Sequence, residues 1–97
     1  KMAAEGLVSV TYFINRKKQI LNKPIVTLNG FATPDKATEL EEKISNKCEE
    51  IYINMINENP GITYSNLERQ ISIQMNHYIY NKMDRRPLIV VSIKKAR

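Results

Sequence analysis

Tyr80-Asn81-Lys82-Met83-Asp84-Arg85-Arg86-Pro87-Leu88-Ile89-Val90-Val91 contains the change of period that decides the fold. Up to Met83 the apolar residues recur at helical spacing. Pro87 cannot continue a helix and pushes Arg86 toward extended backbone, so the helix should end near Met83. Leu88 to Ile93 is then a short, almost continuously apolar run. That pattern predicts a central strand, covered on both faces or covered on one and buried at an interface on the other.

Upstream of this stretch, Leu67, Ile71, Met75, Tyr78 and Ile79 mark one face of the same helix. Ser65-Asn66-Leu67-Glu68 fits a capping box, with Ser65 as the cap and Glu68 reaching back to its amide. Asn59-Pro60-Gly61 separates it from an earlier helix, whose stripe is Leu40, Ile44, Cys48, Ile51 and Met55. Thr33-Pro34-Asp35 opens that helix, with Asp35 or Thr38 as candidate cap. Before it, Val8, Val10, Tyr12 and Ile14 alternate with Ser9, Thr11 and Phe13, which predicts a strand over 7–15. A polar stretch, Asn15 to Gln19, leads to a second strand over about 24–28, so the two form an antiparallel hairpin. The order is β-β-α-α-β. Both helical stripes can be buried on one face of a three-stranded sheet, giving an α+β two-layer fold. Residues 1–97 form a single domain, and the abrupt Lys1-Met2 start suggests a piece of a longer protein.

The formal net charge of +5 has one source. From Lys82 onward there are six basic residues and one acid, Asp84, whereas the preceding chain carries nine of each. A basic cluster suits a polyanion such as RNA phosphate, or simply keeps a terminus soluble. Residues 35–58 carry seven acids and three lysines, so this helix and the basic tail should attract one another, within one chain or between subunits. No run reaches the ~20 apolar residues of a membrane helix, and the single cysteine fits a reducing, cytoplasmic setting.

Catalytic chemistry is sparse. His77 is the only histidine, Cys48 lies on an apolar stripe, and Gly6, Gly30 and Gly61 are too scattered for a phosphate loop. Neighbouring carboxylates in Glu41-Glu42 and Glu49-Glu50 point about 100° apart on a helix, so neither pair converges on one ion. No catalytic, metal or cofactor site is expected in this fragment. Tyr80 lies off the apolar face, where it could stack on a base or sit half-buried at an interface.

Tyr80-x-Lys82-x-x-Arg85-Arg86-Pro87-Leu88-Ile89 resembles the C-terminal signature of the ribonuclease J family. Gly6-Leu7-Val8-Ser9-Val10-Thr11 is similar to the run that opens the family's C-terminal domain. Pro24-Ile25-Val26 with Asn29-Gly30-Phe31 resembles its second strand and the Gly-Phe after it. The resemblance implies the C-terminal domain of a longer, cytoplasmic enzyme that degrades and matures RNA by 5′-3′ exo- and endonucleolytic cleavage. In such a parent, metallo-β-lactamase and β-CASP domains would hold two divalent metals, zinc or manganese; none of their ligands matches this chain. It also implies that the domain supports self-association, or pairing with a paralogous subunit, and full activity. Tyr80, Lys82, Arg85, Arg86, Pro87 and Gly30 are the family-typical positions, with structural or interfacial roles. His77 and Asp84 stand where the family often carries basic residues, which fits a divergent paralogue. The alternative is an auxiliary RNA-binding domain in which Arg16, Lys17, Lys18, Arg85 and Arg86 contact phosphates.

Overall fold

Alternation in the first strand sets the layer that everything else covers. The computed structural model describes residues 5–30 and 32–96. Phe31 of the Gly-Phe pair, Lys1-Met2 and Arg97 of the basic tail lie outside them. Strand β1 (Leu7–Ile14) points Val8, Val10, Tyr12 and Ile14 into the core. Strand β2 (Ile25–Asn29) runs antiparallel to it, with Val10 opposite Val26. Helices α1 (Pro34–Glu58) and α2 (Tyr64–Met83) follow, and β3 (Leu88–Lys95) returns parallel to β1, with Val8 opposite Ile89. The strand order is β2-β1-β3.

The expected α+β layering and element order hold. α1 packs chiefly on β2 and α2 on β3. Ile44, Cys48, Ile51 and Tyr52 from α1 meet Leu67, Ile71, Met75 and Ile79 from α2 in one apolar cluster over the inner face of β1. At its centre the Tyr12 hydroxyl donates to the Cys48 carbonyl at 2.8 Å, and the Tyr12 and Tyr52 rings lie 5.2 Å apart.

Two local expectations are corrected. α1 starts at Pro34 with Thr33 as N-cap, rather than Asp35 or Thr38, because Pro34 needs no amide partner and is preset to helical φ. α2 is capped by Thr63, not Ser65: the Thr63 hydroxyl accepts the Asn66 amide at 3.2 Å. Glu68 is thereby free of any box, and its carboxylate accepts the Ile93 amide of β3 at 3.1 Å.

A larger correction concerns the last strand. β3 is an edge strand and β1 the central one. Only one face of β3 is covered: Ile89 is buried beneath the helices, whereas Leu88 and Val90 are exposed on the other face. The apolar run shows that the strand is hydrophobic, but not which element covers each side.

At the far end of the β1–β2 ladder, Gly6 and Gly30 both have positive φ, at 101° and 87°. A Cβ on Gly30 would stand 3.3 Å from the Gly6 Cα. Gly30→Ala should therefore lower unfolding free energy by about 1–2 kcal/mol, measured by urea titration, through left-handed backbone strain and crowding.

Candidate interaction surfaces

The residues of the Arg-Arg-Pro turn are mostly engaged within the domain. Asp84 adopts left-handed backbone (φ 55°) and its amide closes α2 on the Tyr80 carbonyl at 2.8 Å. Beyond it the chain pairs with the start of β1. The Glu5 amide donates to the Arg86 carbonyl at 3.1 Å, and the Leu88 amide to the Gly6 carbonyl at 2.8 Å. The Glu5 carboxylate accepts the Arg86 amide at 3.0 Å and lies 3.8 Å from the Arg85 guanidinium. Arg86 stacks over the Tyr80 ring, 4.5 Å from its centroid. Lys82 is exposed on the last turn of α2, where its charge suits the helix dipole. Glu5, which the sequence alone does not single out, thus ties the turn to the first strand.

Within one chain the expected attraction between α1 and the tail takes another form. Lys43 and Lys47 pair with Glu39 and Glu50 inside α1, and Arg85 pairs with Glu5. Among the described residues no ion pair joins α1 to the tail.

Arg16, Lys17 and Lys18 lie elsewhere, in the β1–β2 connection. β1 is eight residues long, so roughly 23 Å of strand separates them from Arg85 and Arg86. The cations expected to act as one phosphate-contacting set are split between opposite ends of the sheet. Lys18 is largely structural: its backbone is left-handed (φ 65°), its carbonyl accepts the Tyr52 hydroxyl, and its ammonium donates to the Pro60 and Ile62 carbonyls. What the parallel register does bring to this end is Lys94 and Lys95, opposite Phe13 and Ile14.

The second surface is the sheet face turned away from the helices. Leu7, Ser9, Thr11 and Phe13 of β1 are half-buried there, flanked by Ile25 on β2 and Leu88 and Val90 on β3. Ile25, Leu88 and Val90 are 56, 57 and 45% exposed. Antiparallel and edge strands can carry a polar outer face; here large apolar side chains from all three strands occupy it.

Nucleophilic chemistry gains no support from the interior. Burial pushes the Cys48 thiol up to about 12, outweighing the opposing hydrogen bond with Tyr12, so it is held protonated. His77 is exposed on α2. Among the described residues no three His, Cys, Asp or Glu side chains converge as a metal site. No described helix is long and apolar enough to cross a membrane.

The fold is thus a two-layer α+β domain with a mixed three-stranded sheet and an uncovered apolar face. Residues 1–96 match the family model described as the ribonuclease J C-terminal domain, and the chain belongs to that family. The role it serves is accordingly a ribonuclease J-like one.

Proposed function

We propose that this domain is the assembly module of a ribonuclease J-like RNA-processing enzyme, joining its subunit to a second copy or to a paralogous subunit and so supporting the activity of the catalytic part. That part would be a cytoplasmic metallo-β-lactamase/β-CASP nuclease with two divalent metals, acting on RNA from the 5′ end and internally. The observation that carries the reading is the uncovered sheet face, where Ile25, Leu88 and Val90 stand in solvent. Apolar area of this kind is stabilised by removal from water, at about 25 cal/mol per Å² buried. Two such faces can stack about 10 Å apart across a two-fold axis, each presenting the same residues to the other. The main apolar stripes of the helical side are already spent on the sheet, which leaves Ile53 of α1 and Ile73 of α2 exposed there.

Sedimentation velocity at micromolar concentration tests this. The wild-type chain should show a self-associating species. Val90→Asp, placing a carboxylate on the apolar face, should convert it to monomer while leaving circular dichroism and the thermal midpoint nearly unchanged. A wild-type chain that stays monomeric throughout would sink the proposal.

A further inference from the structure

We infer that the loop end of the sheet is a binding track for the phosphate backbone of single-stranded nucleic acid, built from Arg16, Lys17 and Lys18 of the β1–β2 connection together with Lys94 and Lys95 of β3. Nothing in the linear sequence joins these two groups, which are more than seventy residues apart. The parallel β1–β3 ladder does so, and the Ala96 amide, donating to the Ile14 carbonyl at 2.8 Å, keeps the end of β3 beside the loop.

The backbone turn and two of the cations, Lys18 and Lys95, are held in place. The Asn15 side-chain oxygen accepts the amides of Lys17 at 2.8 Å and Gln19 at 3.0 Å, which closes the connection into a tight turn. The Lys18 ammonium is anchored on the α1–α2 connection through the Pro60 and Ile62 carbonyls. Lys18 and Lys95 both lie against the Tyr64 ring, 5.5 and 5.7 Å from its centroid. Cations held this way lose less freedom when they meet a polyanion than lysines on a frayed tail would.

Their charge is also uncompensated. Among the described residues none of the five forms an ion pair with a carboxylate, in contrast to Lys43, Lys47 and Arg85. Glu68, at the start of α2, gives its carboxylate to the Ile93 amide, and Glu49, which lines the same groove as Lys18, forms no ion pair with it. Unpaired cations gathered at one end of the sheet suit a chain of phosphates, since each contact releases condensed counterions. Lys94 pairs with Phe13 at the border of the apolar face, whereas Lys95 turns to Tyr64 on the helical side, so a test at Lys17 and Lys95 stands independently of the assembly reading.

Two charge-matched double variants locate the track. Lys17→Ala/Lys95→Ala removes two exposed cations from it without touching the apolar sheet face; Lys82→Ala/Arg85→Ala removes two from the opposite end. Binding of a labelled oligouridylate is followed by fluorescence anisotropy as potassium chloride is raised. Lys17→Ala/Lys95→Ala should weaken binding about fivefold or more at low salt and reduce the slope of log affinity against log salt by roughly 1 to 2. Lys82→Ala/Arg85→Ala should stay within about twofold of wild type, since the lost charge lies far from the track beyond a Debye length. Equal losses in both variants, or no binding by the wild-type chain at low salt, would overturn the inference. So would displacement by polyglutamate as effective as by unlabelled RNA, which would mark the surface as a dock for acidic protein. Sedimentation of the same samples reports association separately, so failure of one reading leaves the other tested on its own.

Discussion

Tyr12→Ala should lower the unfolding free energy by about 3–5 kcal/mol in urea titrations, the range for truncating a large buried aromatic. Tyr12 is fully buried on the central strand, and with Tyr52 it supplies the largest buried side chains between sheet and helices. The truncation removes contact with the Tyr52 ring and leaves a cavity below α1 that the strand cannot close, because β1 is hydrogen-bonded on both sides. A domain of this size has only about 5–15 kcal/mol to lose, so much of its stability goes with one side chain. Tyr12→Phe separates packing from polarity. It keeps the ring and removes the hydroxyl that donates to Cys48. That carbonyl lies inside α1 and keeps its helical partner, so the expected loss is only about 1 kcal/mol. A Phe variant as unstable as the Ala variant would show that the hydrogen bond, rather than the ring, holds the strand to the helix.

Alkaline solution should unfold the domain through the same cluster. Burial raises the Cys48 thiol from 9.0 and the Tyr52 phenol from 10.0, each to about 12, and raises the Tyr12 phenol well beyond. Desolvation is the main cause in all three. A group whose folded pKa is raised contributes its full stability below its unfolded pKa, and loses it as pH climbs through the folded one. The unfolded chain therefore gains from ionisation first at Cys48, above about pH 9, and then at the tyrosines. Stability should be level from neutrality to about pH 9 and have fallen by at least about 2 kcal/mol near pH 11. Urea midpoints across that range, with phenolate absorbance followed in parallel, check it. A midpoint that does not move up to pH 11 would contradict the buried, neutral state of these groups.

Much of the fold is legible in periodicity. The alternation from Val8 to Ile14 names the inner face of β1, and the stripes through Ile44-Cys48-Ile51 and Leu67-Ile71-Met75 name the faces the helices bury. The end of α2 at Met83 follows from Pro87 and the turn before it. Pairing order is another matter. Leu88 to Ile93 reads equally well as a covered strand or as an edge strand with one bare face, because the run records hydrophobicity and not neighbours. The capping box failed for a related reason: Thr63 and Ser65 are both competent caps, and Glu68 finds a tertiary partner in Ile93 that no local pattern encodes.

The interaction surfaces divide in the same way. Arg85, Arg86 and Tyr80 are recognisable as a unit because they are close in sequence, and the structure ties them to one another and to Glu5. Joining Arg16–Lys18 with Arg85 and Arg86 rested on charge alone, and the length of β1 separates them. Joining Arg16–Lys18 with Lys94 and Lys95 needs the parallel register, which only the folded sheet supplies.

The Glu68 contact has a consequence for what the domain can avoid becoming. The Leu88 and Ala96 amides both turn toward β1, so by alternation the amides of Ile89, Val91 and Ile93 face outward along the free edge of β3. Glu68 occupies the last of these, and lysines follow at positions 94 and 95. An incoming strand therefore finds a short template at Ile89 and Val91 that ends at a carboxylate. The hydrophobic strand most able to seed open-ended fibril growth is capped by the protein's own helix, which leaves the broad face of the sheet, and not its rim, as the place for partners.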